Sequence, residues 1–327
     1  MGRWLPFDRQ LRELDADIQK AERLLTASGI SDERRARLKE QVDELKRRQE
    51  QVTREVFTML TAWDNVLLAR HVDRPYTLDY IGAMFGDFVE LHGDRRFGDD
   101  PAIVAGVASL DGQRVAVIGH QKGRDVKERQ FRNFGSARPE GYRKAARVMQ
   151  LAEKLGMPVI SFVDTPAAES RLDAEERGIA NAIAENMMLM SALRTPIIVT
   201  IIGEGGSGGA IGIAVGDHVM MLEHAIYSVI PPESCAVILE AFGRDPTRGP
   251  EAAEALRISA KQTLSLGAAD EIVPEPLGGA HKDAAAAAQS LKEAITRNLA
   301  RLRALPVDDL LAARYQKLRG FGHFVEA

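Results

Sequence analysis

The stretch Pro196-Ile-Ile-Val-Thr-Ile-Ile202 runs directly into Gly203-Glu-Gly-Gly-Ser-Gly-Gly209-Ala210, and its reading decides the fold. A short continuous apolar run ended by turn residues reads as a buried strand. The small-residue segment 210–215 that follows reads as a helix. Seven of the fourteen positions from 203 to 216 are glycine, in a chain with 28 in all. Each ordered glycine costs backbone entropy, so this density needs a physical reason. Four are open. A phosphate-binding P-loop is disfavoured, because no lysine follows the glycines. A nucleophile elbow is satisfied formally by Gly205-Gly206-Ser207-Gly208-Gly209, with Asp270 and His281 in the chain order of a hydrolase triad. His281, however, opens a polar, alanine-rich segment and reads as a solvated surface histidine. A backbone oxyanion hole is the third reading: bare amides at a helix start point at an oxygen that gains charge. The fourth is close helix–strand packing alone.

Outward from this stretch, apolar strands alternate with helices. Residues 158–163 read as a strand, 174–193 as one helix, and 139–155 as another with Pro139 at its first position. Residues 102–110 and 114–118 are β-like runs joined by Asp111-Gly112, a hairpin signal. Shorter strands are expected at 218–222 and 225–230, then helices and a polar tail from His281. This is an α/β layer structure covered on both faces, with 77–280 as one unit. The first residues differ in texture. Leu11, Leu14, Ile18, Ala21 and Leu25, then Leu38, Val42, Leu45, Val52 and Val56, form two narrow apolar stripes around a break at Ser28-Gly29. They predict a helical hairpin with Ser31 as N-cap, either a docking arm or an element packed on its own domain. The division expected is 1–60 for the hairpin and 61–327 for the α/β domain.

With 327 residues, 45% of them apolar, the chain can bury a sizeable core. Disorder, collagen and disulfide-stapled folds are excluded. The net charge of -4 argues against a nucleic-acid coat. One cysteine, Cys235, excludes a disulfide framework and a four-cysteine zinc site built from this chain alone. No apolar run approaches the roughly 18 residues of a membrane span, and the start lacks a signal-peptide pattern, so the reading is of a soluble cytoplasmic protein.

Two more segments stand out. Asp164 to Gly178 follows a buried strand, where α/β proteins place ligands; its plain alternative is a connection with Asp173 as N-cap. Residues 122–147 hold nine Lys/Arg against three acids, a local excess that suits an anionic ligand or acidic partner. Within it, Arg143, Lys144 and Arg147 also read as a solvated helix face.

Nine motifs in register carry a resemblance: Gly119-His-Gln-Lys-Gly123, Asn133-Phe-Gly135, Pro139-Glu-Gly-Tyr-Arg-Lys144, Phe162-Val-Asp-Thr-Pro166, Ala174-Glu-Glu-Arg-Gly178, the 203–210 run, Gly216-Asp217, Tyr227-Ser-Val229 and Pro274-Glu-Pro-Leu-Gly-Gly-Ala-His281. Together they resemble the α subunits of bacterial acetyl-coenzyme A carboxylase carboxyltransferase, over nearly the whole chain. The resemblance implies a crotonase-like (ClpP/crotonase) spiral of ββα units. It implies transfer of CO2 from carboxybiotin, borne by a biotin carboxyl carrier protein, to acetyl-CoA, giving malonyl-CoA for fatty-acid synthesis. It also implies a β subunit carrying a zinc ribbon in an α2β2 assembly, biotin carboxylase as a further partner, and ATP and nucleotide binding as family properties. No metal is expected in this chain, and no membrane or nucleic-acid partner. By the same resemblance the amides of Gly208, Gly209 and Ala210 form the oxyanion hole. Gly205, Gly206, Thr165, Pro166 and Ala167 shape the biotin-site loop, and Lys122, Arg129 and Arg132 meet CoA phosphates or the carrier. Where the family reads Asp-Thr-Pro-Gly-Ala-Tyr-Pro-Gly, this chain has Ala167 for the first of those glycines and Glu169-Ser170-Arg171 for Tyr-Pro-Gly; Pro231 and Ser234 also depart. An altered loop, a changed acyl preference and a weakened scaffold subunit are the outcomes weighed, beside the Ser207 hydrolase.

Overall fold

The computed structural model describes residues 4–27 and 30–322; the break at Ser28-Gly29 lies outside them. Helices α1 (Arg9–Leu25) and α2 (Asp32–Thr58) form the hairpin, and the Ser31 side chain accepts from the Arg34 amide as N-cap. Leu11, Ile18, Ala21, Val42 and Val52 are buried, while Leu14, Leu25, Leu38, Leu45 and Val56 are half-buried. The hairpin meets the rest of the chain at its base. The Phe57 ring stands edge-on to His224 at 5.3 Å, and Lys282 sits over Trp4 at 4.5 Å.

After α3 (Ala62–Ala69) and α4 (Thr77–Met84) come β1 (Gly86–Glu90), β2 (Ile103–Leu110) and β3 (Gln113–His120), paired antiparallel. Leu110 faces Gln113 across the turn, and Asp111 (φ +48°) and Gly112 (φ +79°) are both left-handed, the requirement of the tightest hairpin turn. Then follow α5 (Val126–Phe131), α6 (Pro139–Lys154), β4 (Val159–Thr165), α7 (Leu172–Glu176), α8 (Ile179–Ala192), β5 (Ile197–Gly206) and α9 (Ser207–Ile211). The chain closes with β6 (His218–Leu222), β7 (Ile226–Ser228), α10 (Pro232–Ile238), α11 (Gly249–Leu256), α12 (Ala260–Ser265), β8 (Glu271–Val273), α13 (Ala284–Arg303) and α14 (Val307–Arg319). From β3 through β4, β5, β6 and β8 the sheet is parallel. β4 and β5 are buried along their whole length, which is why they read as unbroken apolar runs.

Four expectations are corrected. The single helix over 174–193 is two, because Gly178 is left-handed (φ +79°) and breaks the run between α7 and α8; Arg171, not Asp173, is the N-cap of α7. The strand expected to stop at Ile202 continues through Gly206, pairing with β7 at Glu204, Gly205 and Gly206. The polar tail is α13, with Leu291, Ile295, Leu299 and Leu302 buried, followed by α14.

Two fully buried ion pairs join distant parts of the chain. Arg74 donates to both Glu275 oxygens at 2.9 and 2.5 Å and to the Ile202 carbonyl at 2.7 Å. Arg314 meets Asp217 at 2.8 Å and the carbonyls of Met190, Leu193 and Thr195. Burial works to raise the Glu275 carboxyl, yet Arg74 holds it down to about 2.

Candidate functional site

The glycines of β5 and α9 are bare for separable reasons. A Cβ at Gly203 would meet Asp164 Oδ1 at 2.5 Å, one at Gly205 the Tyr227 ring at 2.8 Å, and one at Gly206 the Pro166 carbonyl. At Gly209 it would meet the backbone of Ala167 and Ala168 at 2.5 Å, and at Gly212 the Tyr142 ring at 2.6 Å. Packing explains these five. Gly208 is different: its Cβ would find only Ile183 Cδ1, at 3.6 Å, an ordinary contact. Nothing described in the chain requires that position to be glycine. It lines an apolar cleft of about 730 Å³, together with Ser207, Ile211, Tyr227, Val229 and Leu266.

β5 passes into α9 through Ser207, which is left-handed (φ +52°). A non-glycine residue there stores about 1–2 kcal/mol of strain. The helical pattern leaves the N–H groups of Ser207, Gly208 and Gly209 without intrahelical acceptors, and Ala210 is the first to have one. The junction is held rigidly. Tyr142 donates its hydroxyl to the Gly209 carbonyl at 3.0 Å, Asn186 donates to the carbonyls of Tyr142 and Gly212, and Ser161 donates to Ile213 O at 2.6 Å. Ala210 is completely buried.

A smaller cavity of about 180 Å³ is lined by Arg70, Tyr76, Lys122, Gly123, Arg129, Phe134, Pro166 and Glu204. Its floor is an ion network. Lys122 Nζ reaches Asp164 at 2.7 Å and Glu204 at 2.6 Å, and Arg70 joins Glu204 at 2.6 Å to Glu233 at 2.5 Å. Burial tends to raise the Glu204 carboxyl, but Lys122 and Arg70 outweigh it and hold it at about 2. The Lys122 ammonium is therefore committed to internal partners. Arg129 lines the cavity with its Nε on the Gly123 carbonyl at 3.1 Å, while Arg132 donates to the Pro101 carbonyl at 2.9 Å. Arg143, Lys144 and Arg147 are not a solvated face: Arg143 binds Asp94, Lys144 is fully buried on Asp99 and the Asp100 carbonyl, and Arg147 holds the carbonyls of His92 and Gly93. Helix α6 thereby clamps the 92–100 loop.

The loop after β4 is ordered by its own side chains. Thr165 Oγ1 accepts from the Ala167 amide and donates to the Ala167 carbonyl, Pro166 lines the small cavity, and Ala167 abuts Gly209. Glu169 is buried, and burial opposes its ionisation; Arg171 and Asn133 nonetheless bring its carboxyl down to about 2. The exposed Arg171 side chain covers it.

The hydrolase constellation does not assemble. His281 stacks on His71 with ring centroids 4.2 Å apart, and its two nitrogens have no hydrogen-bond partner among the described residues. It is not a solvated surface histidine, and burial brings its ring down to about 3. Asp270 accepts from the Val219 amide at 2.7 Å and from Lys317. Arg70, Tyr76, Phe134 and Glu204 were not expected at the site. Glu204 carried a signal, as a charged residue inside a buried glycine run, and Phe134 lies in the Asn133-Phe-Gly135 motif. Among the described residues no group of three or more His, Cys, Asp or Glu is placed to hold a metal ion, and no helix is long and apolar enough to cross a membrane.

Residues 4–322 match the family described as acetyl co-enzyme A carboxylase carboxyltransferase-like. The chain belongs to this carboxyltransferase family. It is 53% identical over 322 residues to the acetyl-coenzyme A carboxylase carboxyl transferase subunit alpha of Geobacter metallireducens, covering 98% of each chain. It is 57% identical over 271 residues to the subunit of the same name from Geobacter sulfurreducens, covering 83% of this chain and 84% of that one. Among solved structures, a Pseudomonas malonate decarboxylase hetero-tetramer in complex with coenzyme A superposes with a TM-score of 0.57 at 18% identity, over 72% of this chain and 91% of that one. The carboxyltransferase chain is thus crotonase-like in fold, and the serine-hydrolase reading is set aside.

Proposed function

We propose that this chain is the α half of an acetyl-CoA carboxylase carboxyltransferase, moving CO2 from carboxybiotin on a carrier protein to acetyl-CoA to give malonyl-CoA. The observation that carries the reading is Gly208, bare of side chain beside the apolar cleft although the chain has room for a methyl group there. A cradle that only a ligand fills is what a backbone oxyanion site requires.

The carboxybiotin of the carrier supplies the carboxyl group. This chain's part is to hold amides still. The N–H groups of Gly208 and Gly209 sit on a helix start whose entry is fixed by the left-handed Ser207 and by Tyr142, so negative charge developing on an adjacent oxygen meets dipoles that need no rearrangement. Ala210 packs beneath them; Gly205 and Gly206 let β7 and the Pro166 loop approach; the Thr165-Pro166-Ala167 loop packs its backbone against Gly206 and Gly209. Because Lys122 is internally paired, Arg129 and Arg132 are what remains of the three residues expected to meet CoA phosphates or the acidic carrier. A β subunit bearing the zinc ribbon completes an α2β2 enzyme, and biotin carboxylase recharges the carrier, all in the cytoplasm. The hairpin of residues 1–60 is an arm on the carboxyltransferase domain of residues 61–327.

The test is malonyl-CoA-dependent carboxylation of biocytin by the chain mixed with a carboxyltransferase β subunit. Activity that needs both subunits and survives Ser207→Ala is expected. A folded, inactive complex, or fluorophosphonate labelling of Ser207, overturns the reading.

A further inference from the structure

The turn Asn133-Phe-Gly135 runs through three consecutive left-handed residues, with φ of +45°, +56° and +80°. For the bulky Phe134 this backbone is strained by about 1–2 kcal/mol, so its surroundings must hold it. Two contacts do so. A Cβ at Gly135 would meet the Lys122 stem at 2.8 Å and the Asp164 carbonyl at 3.3 Å, which shows how closely the turn is wedged against the end of β4. Asn133 Nδ2 donates to the Ser136 carbonyl at 2.6 Å and to Glu169 Oε2 at 2.8 Å. The Glu169 carboxylate also accepts from the amides of Ser170 and Arg171 at 2.9 and 3.0 Å and from the Arg171 guanidinium at 2.7 Å, while its own N–H donates to the Ala137 carbonyl at 2.9 Å. One buried carboxylate thus ties the loop after β4 to the turn after α5.

What the strained turn presents is the Phe134 ring, 55% exposed, in the wall of the small cavity with Tyr76, Arg129 and Pro166. Backbone strain maintained in order to expose an aromatic ring does nothing for stability, and such strain gathers at ligand sites. At about 180 Å³ the cavity is below the about 300–1,000 Å³ of a whole-ligand pocket. It takes the head of a ligand. Aromatic walls with two guanidiniums, one of them Arg70 already paired with Glu204 and Glu233, suit a small flat ring.

We propose that Phe134 is a substrate-contact residue that packs on the heterocyclic ring of the carrier's biotin, and that Glu169 is the positioning residue that holds Phe134 there through Asn133. The inference rests on the carboxyltransferase reading. It is tested with the full chain mixed with its β subunit, biocytin as acceptor and malonyl-CoA as donor. Phe134→Ala is expected to raise the biocytin KM by about threefold to tenfold, the size of one aromatic contact, with the malonyl-CoA KM unchanged. Glu169→Ala does the same, and the double variant is no worse than either single one. Glu169→Gln is impaired as well, because both carboxylate oxygens accept from N–H groups and the amide NH2 faces donors in either orientation. An unchanged biocytin KM in Phe134→Ala, or additive effects in the double variant, overturns the proposal. Phe134→Ala alters an exposed side chain and reports even where Glu169→Ala fails to fold. Absence of transfer by the unmodified subunits refutes the carboxyltransferase reading itself, and the proposal with it.

Discussion

Substituting alanine at Gly208 and at Gly209 separates the two reasons a glycine is present at this junction. At Gly209 the new methyl would lie 2.5 Å from Ala167 C and Ala168 N, backbone atoms with no rotamer to move. Overpacking of this kind costs about 1–3 kcal/mol. At about 2–4 °C per kcal/mol for a domain of this size, the thermal midpoint falls by about 2–12 °C. At Gly208 the nearest atom is the end of the Ile183 side chain at 3.6 Å, and glycine to alanine at an unstrained position gains about 0.4–1 kcal/mol. The Gly208→Ala midpoint is therefore unchanged or slightly raised. Its transfer activity falls by about a hundredfold, comparable to losing one oxyanion donor, because the methyl group occupies the space beside the amide. The assay pairs calorimetry of each variant with biocytin carboxylation in the presence of the β subunit. Full activity in Gly208→Ala, or an unshifted midpoint in Gly209→Ala, refutes the reasoning.

Lys122→Met leaves Asp164 and Glu204 buried without their shared cation; urea unfolding is expected to show a loss of about 3–5 kcal/mol, and a loss below 1 kcal/mol contradicts the network. His120 is completely buried, and burial, with the nearby Lys122 charge, brings its ring down to about 3. The unfolded chain therefore binds a proton the folded one refuses. Stability present above the unfolded value of about 6.5 is lost as pH falls from there toward 3, by about 2 kcal/mol at pH 5. His120→Asn flattens that limb in melts between pH 7 and 5, and an identical slope in the variant excludes His120 as its source.

Legibility in the sequence followed the range of the interactions. The Asp111-Gly112 hairpin, the Ser31 cap and the buried runs of β4 and β5 are local, and each was readable from neighbouring residues. The extent of β5 was not, because glycine reads as a turn former. What keeps Gly205 in a strand is Tyr227 and the β7 backbone, whose proximity only the fold reveals. Helical periodicity carried the 174–193 reading across Gly178 because the apolar pattern continues on both sides. The basic stretch was visible as charge, but its partners lie far off: Lys122 finds Glu204 82 residues away, and Lys144 finds Asp99 45 away. At the site, Gly208 was in view from the start, and Asn133-Phe-Gly135 stood out as a motif, but that its turn holds the Phe134 ring in a cavity wall shows only in the dihedral angles and the fold.

The pair between Arg74 and Glu275 also bears on how the chain is made. The two residues are separated by 201 positions, so at about 5–20 residues per second a nascent chain holds an unmatched Arg74 for about 10–40 s before its partner is synthesised. During that interval the guanidinium cannot enter the interior without desolvation. The segment around Arg74 must stay hydrated, and the glycine junction near it unfinished, until the chain has passed β8. Synthesis through Glu275 thus gates assembly of the site.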